Sequence, residues 1–513
     1  MSTTGLSGRG YSASALFCGL ILVLPFLVVE IPPITDLPQQ TAQIRLLFEA
    51  FGGSESSYRI QALDPNKLGY LALLGSWWVG TPLAAGRLAM VLLGLAWILS
   101  IHLFVYRMGR HPTAATVASL LFFNHLFYWG FLNFLLGLPV FLLFWLWLRR
   151  IPSTESSAVA LVQGVFWFLL LYSAHVLWLA AALSCFVVKA LVERWPPEHW
   201  RGVLASALPA LLLVAWWYPR FNASGFVSEI AWGRSPLGRL HPHWWLNSMF
   251  GGLQGTAEGW TALALLLWVV LGLLTWRRES ERLDWTRVHG GLLATGGAFV
   301  LAALVLPGVF QHTIFFASRW LPVGGVFLLL AVPPPRLRPV LRWAFAGWLW
   351  AGLISAMAAA WIEFDRQELE GLHEALAEIE PGSRLLGLDF VRTSDVIQGF
   401  PFYHLYSWGQ ALHGGELARS FANEASSLVV FEDMPRSLPW TENLDWKARQ
   451  IRRSDIPHFD FVLIHGGPEV QAPFQADDRL VPRTPELRWR LFEVLEPAGA
   501  MEDPARYTSS PSN

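Results

Sequence analysis

The sequence predicts a mainly α-helical fold, a polytopic transmembrane bundle of about eleven spans followed by a water-soluble C-terminal α/β domain. Three observations predict it. Of 513 residues, 54% are hydrophobic and only 15% charged, where a soluble domain carries roughly a quarter charged residues. More than half of the charged side chains lie after Trp361, in less than a third of the length, so the two parts face different solvents. Arginines and lysines also gather at alternate ends of the apolar runs.

A helix needs about 20 apolar residues to cross a bilayer. Runs of that kind fall at residues 13–30, 84–106, 113–129, 131–148, 158–173, 175–193, 202–218, 259–276, 288–307, 318–333 and 339–361. The first is too long for a signal-peptide core and lacks a small-x-small cleavage site, so it reads as an uncleaved span. Basic residues follow spans two (Arg107, Arg110), four (Arg149, Arg150) and eight (Arg277, Arg278, Arg282, Arg287) and surround the loops after spans six (Lys189, Arg194, Arg201) and ten (Arg336, Arg338, Arg342). Short cytoplasmic loops concentrate such residues. The pattern puts the N-terminus inside and, with an odd number of spans, the C-terminal domain outside. In a bacterial inner membrane, outside is the periplasm.

The expected domains are a membrane part, residues 1–361, with external loops 31–83 and 219–258, a soluble extracytoplasmic part, residues 362–500, and a disordered tail, 501–513. In the soluble part QELEGLHEALAEIEPGSRLLGLDF reads as an acidic helix, a Pro-Gly turn and a strand. SSLVVFED, FDFVLIHGG and LRWRLFEVLEP are further strands. The tail YTSSPSN is poor in apolar residues.

Several function classes are excluded. A net charge of −1 and the lack of an arginine run leave no field that would recruit nucleic acid. Cys18 and Cys185 both sit in apolar runs, so neither a disulfide framework nor a Cys-ligated zinc site is available. No HExxH, GxxxxGK[ST] or GxSxG motif occurs.

The first external loop opens with IPPITDLPQQTAQIRLLFEAF, where Ile44, Leu47, Phe48 and Phe51 recur with helical spacing. This predicts an amphipathic helix along the membrane surface. Asp36 stands at its start, with Pro38 in the first turn. Such a carboxylate suits a plain N-cap, and it equally suits a general base for an acceptor hydroxyl, which must lie within reach of the proton it removes. The same loop carries Arg45, Arg59, Asp64, Asn66 and Lys67, the last three in the turn DPNKL.

One span, a long external loop with an acidic residue near its start, many further spans and an external C-terminal domain resemble the GT-C superfamily of membrane glycosyltransferases. TDLPQQTAQIRLL and DPNKL carry the likeness in sequence. In that superfamily, which includes protein O-mannosyltransferases and oligosaccharyltransferases, the acid of the first external loop is catalytic and the donor is a lipid-linked sugar. The resemblance places that role on Asp36 alone. Many relatives set a second acid beside the first, whereas here the neighbour is Leu37, so a divalent metal is compatible with the sequence but not required by it.

Ionisable residues within spans are functional candidates by default. Arg319, in QHTIFFASRWLPVGG, offers a guanidinium for bidentate recognition of a lipid phosphate. His175, in LLLYSAHVLWL, suits a phosphate oxygen or a helix–helix hydrogen bond. His125 and His312 lie at the same expected face. In the second long loop, His241, His243, Trp244 and Trp245 of AWGRSPLGRLHPHWWLNSMFGG offer a surface for a sugar, or an interfacial tryptophan belt. The expected reaction moves a sugar from a polyprenyl-phosphate donor to a hydroxyl. Asp36 is the base, Arg319, His175, Arg45, Arg59 and Lys67 hold the donor phosphate, and His241, His243, Trp244 and Trp245 contact substrate. The alternatives are a lipid or polysaccharide transporter or flippase, which needs a polar route at the midplane, and a noncatalytic membrane assembly protein.

Overall fold

The computed structural model describes residues 8–52, 57–151, 158–223, 229–276, 287–311, 313–433 and 438–495; the expected tail lies outside them, as does His312. In chain order the helices are α1 Gly8–Val28, α2 Leu37–Gly52, α3 Leu68–Trp77, α4 Pro82–Arg107, α5 Pro112–Ser119, α6 His125–Trp129, α7 Leu132–Leu148, α8 Ala158–Ala174, α9 Val176–Val192, α10 Pro197–Ala223, α11 Pro242–Met249, α12 Ala257–Leu274, α13 Gly290–Val305, α14 Trp320–Ala331, α15 Pro339–Glu363, α16 Leu372–Ala377, α17 Ser407–His413 and α18 Pro468–Gln475. The strands are β1 Tyr58–Ile60, β2 Ile230–Ala231, β3 Val309–Phe310, β4 Arg384–Asp389, β5 Glu416–Leu417, β6 Val429–Phe431, β7 Phe461–His465, β8 Leu480–Pro482 and β9 Trp489–Val494.

Among the described residues α1, α4, α10, α12 and α15 are long and apolar enough to cross a membrane, and α3, α7, α8, α9, α13 and α14 are shorter apolar helices. The stretch read as one span at 113–129 is broken. Asn124 ends α5 and its 3-10 extension and caps α6, its Oδ1 accepting from Leu126 N at 2.9 Å while Nδ2 donates to Leu121 O at 2.6 Å. An Asn that offers the backbone such partners competes with the helix ladder.

The chain divides into two compact units. The first comprises Met1–Leu27, Leu63–Ala72 and Met90–Ala358; the second Val28–Ala62, Leu73–Ala89 and Ala359–Asn513. The first unit is a helical bundle around a buried aromatic centre. Trp178 stands 5.2 Å from Phe134 and 5.6 Å from Trp320, ring centre to ring centre, and its indole N–H donates to Phe134 O at 2.8 Å. Gly137 makes room for it: a Cβ there would stand 1.9 Å from Trp178 Cδ1.

In the second unit a five-stranded sheet runs β5-β4-β7-β9-β8, with β5, β4 and β7 parallel and β9 and β8 antiparallel. Its core includes Leu386, Leu388, Val462, Ile464, Phe474 and Phe492. α2 belongs to this unit. The helix is where the periodicity puts it, but its polar face does not meet solvent. Every residue from Leu37 to Ile44 is buried, Gln39, Gln40, Thr41 and Gln43 included, and only its end emerges, with Phe51 73% exposed. The polar face is buried because later segments satisfy it. Gln39 donates to Arg419 O at 3.1 Å and accepts from Phe421 N at 2.8 Å, and Gln43 Oε1 accepts from Val429 N at 2.7 Å. Beyond α2, β1 pairs antiparallel with β6, Arg59 opposite Val430.

Candidate functional site

Two groups of ionisable side chains stand out, one in each unit. In the second unit Asp36 precedes α2, and its carbonyl accepts from Gln40 N at 2.9 Å, the N-cap position. Its carboxylate also has a partner far along the chain. His404 Nδ1 lies 3.0 Å from Asp36 Oδ1, with Asp36 6% and His404 5% exposed. A carboxylate only accepts, so Nδ1 carries the proton. The Tyr403 ring lies nearly parallel to the imidazole at 4.0 Å between centres, and Phe421 presents an edge at 5.4 Å. The Tyr403 hydroxyl donates to Asp445 Oδ2 at 3.0 Å. Burial, and then the charge of Asp445, push that phenol above its usual range, so it stays protonated and the tether holds at neutral pH. Thr35 Oγ1 reaches Phe400 O at 3.4 Å. Nothing in PFYHLYSW marks His404 as Asp36's partner, because 368 residues separate the two.

In the first unit Arg319 and His175 meet, Nη1 standing 3.3 Å from Nε2. Arg319 is 5% exposed, and its Nε and Nη2 donate to Ile314 O at 3.1 and 2.9 Å, which leaves the guanidinium over the Phe131 ring at 4.2 Å. His175 breaks the helix between α8 and α9 and caps α9, its Nδ1 accepting from Leu177 N at 3.2 Å. With Nδ1 accepting, the neutral ring carries its proton on Nε2. Arg319 Nη1 and His175 Nε2 are then two donors facing one another, the arrangement that a shared oxyanion satisfies.

The DPNKL turn is laid over the same α8–α9 corner. Lys67 N donates to Ser173 O at 2.7 Å, Asn66 Oδ1 accepts from Val176 N at 3.0 Å, and Tyr172 Oη donates to Leu63 O at 3.0 Å. Asn66 takes φ 64°, a left-handed conformation that Asn tolerates. Lys67 is 7% exposed, and burial, opposed by the charge of Asp64, lowers its ammonium to about 8. Asp64 in turn accepts from Arg220 Nη2 at 2.8 Å.

Other expected residues have structural places. Arg45 pairs with Glu49 at 3.0 Å within α2, and Arg59 is exposed on β1. Both belong to the second unit, unlike Arg319, His175 and Lys67. His241 caps α11, and His243 is exposed with Nε2 3.1 Å from Asn247 Nδ2. Trp244 and Trp245 meet edge to face at 6.4 Å. Their neighbour Arg239 is 2% exposed and caps the end of α13, donating to Ala303 O and Leu304 O at 3.1 and 3.2 Å and to Leu306 O, with Trp232 O a further acceptor at 3.0 Å. His125 bridges helices through Ser248 O at 2.5 Å and Ser318 Oγ at 3.3 Å. Among the described residues no three His, Cys, Asp or Glu side chains gather as a metal site.

The sequence matches no family model and no curated protein. Solved structures do match. The arabinofuranosyltransferase AftD from Mycobacteria superposes with a TM-score of 0.54 at 15% identity, over 98% of this chain and 41% of that one. ArnT from Cupriavidus metallidurans, bound to undecaprenyl phosphate, gives 0.51 at 12% identity, over 95% of this chain and 98% of that one. This chain therefore spans less than half the length of AftD and nearly all of ArnT. With its long apolar helices it is an integral membrane protein, and its fold is that of the GT-C membrane glycosyltransferases.

Proposed function

We propose that this protein is a membrane glycosyltransferase that moves a sugar from a polyprenyl-phosphate donor to an acceptor hydroxyl at the periplasmic face of a bacterial inner membrane, with Asp36 supplying the basic charge. The observation that carries this reading is the buried Asp36 carboxylate at the head of α2, held by the His404 imidazole at 3.0 Å. A cap alone does not call for that second partner.

The reaction asks one group to relieve the acceptor of its proton and another to stabilise the leaving phosphate. The first task falls to Asp36. The second falls to Arg319 and His175, whose facing donors suit a phosphate oxygen, with Lys67 adding charge; the undecaprenyl phosphate bound to ArnT supports a lipid of that class. Arg45 and Arg59 are secondary candidates for the phosphate, and His241, His243, Trp244 and Trp245 for the sugar or acceptor. Eleven spans, counting α5 and α6 as one crossing, with the N-terminus inside, complete the reading.

The test is sugar transfer by the purified protein from a panel of polyprenyl-phosphate pentoses and hexoses. Asp36→Asn keeps the shape and removes the charge. The reading expects the variant to lose about 100-fold or more in rate with its melting temperature unchanged. Equal activity of both proteins sinks the role of Asp36, and no transfer from any donor sinks the reading.

A further inference from the structure

We infer that His404 Nε2 is the proton acceptor of the reaction and that Asp36 acts through it. The inference rests on the transfer reading above and changes which atom meets the substrate. Asp36 Oδ1 accepts the hydrogen bond of His404 Nδ1, so the neutral ring has its lone pair on Nε2. Nδ1 is committed to the carboxylate. Among the described residues no hydrogen bond is seen to Nε2, and the His404 side chain keeps 6% of its surface exposed where that of His465 keeps none. His465 makes the comparison sharp. It too donates from Nδ1, to Asp389 Oδ1 at 2.8 Å, but it is fully buried, stacked on Trp489 at 4.2 Å, and its Nε2 is enclosed without a partner. Of these two buried Asp–His pairs, one histidine is fully enclosed and the other keeps a narrow exposed edge.

The ring around His404 is held as a positioned base must be. Tyr403 lies against one face and is tethered to Asp445, and Phe421 meets it edge-on. A nucleophile's partner base, oriented by a third group, is the general logic of assisted attack by a hydroxyl. In the step proposed, the acceptor O–H proton passes to His404 Nε2 while the oxygen bonds to the anomeric carbon. The bond from that carbon to the phosphate oxygen breaks, and its electron pair leaves with the polyprenyl phosphate. The imidazolium is stabilised by Asp36 and afterwards releases its proton to water. Tyr403, Tyr406, Asp445 and Arg419 are the other titratable groups around the pair, and Asp445 holds the Tyr403 proton rather than the substrate's.

The experiment uses the full-length wild type, His404→Gln and Asp36→Asn, with two readouts. Diethyl pyrocarbonate, which acylates an accessible neutral imidazole nitrogen, is applied and each histidine is read by mass spectrometry, with exposed His241 and His243 as internal controls. His404 is expected to be acylated in the wild type. In Asp36→Asn it is expected to be acylated more slowly, because without the carboxylate Nε2 is less basic and the amide no longer fixes the ring proton on Nδ1. Transfer from the polyprenyl-phosphate sugar panel is then followed against pH. His404→Gln is expected to lose about 100-fold in rate and to remove one ionisation from the profile, whereas a merely structural defect lowers the rate alike at all pH. Unmodified His404, or equal modification in both proteins, overturns the inference. So does a His404→Gln enzyme of wild-type rate while Asp36→Asn is dead, an outcome that leaves the transfer reading standing with Asp36 itself as base. No transfer from any donor overturns both.

Discussion

The two halves of the first long loop, residues 31–72, do opposite things with their backbone. Residues 31–62 enter the second unit, where Gln39 and Gln43 use side chains to satisfy backbone groups of Arg419, Phe421 and Val429 more than 370 positions away. Residues 63–72 enter the first unit, where Lys67 offers its own backbone N–H to the α8–α9 corner and Asn66 receives that of Val176. Each half thereby fixes one ionisable side chain. The first half ends up holding a carboxylate against an imidazole, and the second a buried ammonium beside Asp64. Burying either charge is costly without a partner, so a loop that buries both, in one reach of about 40 residues, is organised around charge rather than around connection.

The largest expected effect breaks the cationic side of the comparison. Arg319→Lys keeps one charge but gives up the planar fork that holds Ile314 O while presenting Nη1 beside His175. The loss of an oriented donor at a developing oxyanion is worth about 100- to 1000-fold in turnover, and the variant should fall in that range for sugar transfer while still melting as a folded protein. A change confined to KM, with full turnover at saturating donor, shows that Arg319 binds the ground state only. No change in either constant removes it from the site.

Next in size is the clamp on the carboxylate side. Gln43→Leu leaves the buried Val429 N–H without its acceptor, which costs about 1–3 kcal/mol. The loss should appear as a lower midpoint in denaturation followed at the second unit. If Asp36 and His404 are held by α2 docking, the same variant should also slow transfer. Lost stability with wild-type transfer at low temperature separates the clamp from the site.

The division between the halves also explains what the sequence makes legible. Apolar length is a local property, so the helical regions appear close to where hydropathy puts them, and so do strands β4, β7 and β9, whose alternation and bounding turns are local too. The break at Asn124 is misread because the stretch around it is apolar enough to look continuous. α2 is placed correctly as a helix, but the burial of its polar face is missed, since the periodicity of Ile44, Leu47, Phe48 and Phe51 sees only the apolar stripe. The partners of Gln39 and Gln43 lie in a segment that no local pattern connects to them. Of the candidate site, Arg319 and His175 are legible because a charged or titratable residue in an apolar run is costly enough to be conspicuous. His404 is invisible for the opposite reason: it sits in a polar, aromatic stretch where a histidine is unremarkable, and only its distance to Asp36 distinguishes it.

The smallest expected effect sharpens the comparison through pH. Burial has lowered Lys67 to about 8, against an ordinary value near 10.5. The unfolded chain therefore holds that proton over a range where the folded chain has released it. By linkage, stability rises with pH wherever the unfolded state binds more protons, so the penalty for the buried ammonium is fully present below about pH 8 and is relieved as pH climbs towards the unfolded value. Binding of a lipid phosphate runs the other way. An anion beside Lys67 favours the protonated form, so affinity should hold below pH 8 and weaken above it, by at most about tenfold per pH unit for a single proton. Titrating undecaprenyl phosphate against the purified protein from pH 7 to pH 9.5 reads this limb directly, and Lys67→Met should bind more weakly at pH 7 and lose the slope. A slope that survives in Lys67→Met belongs to another group and detaches Lys67 from the phosphate. A slope that disappears while Arg319→Lys keeps its own places both cations on one anion, with Lys67 as its titrating member.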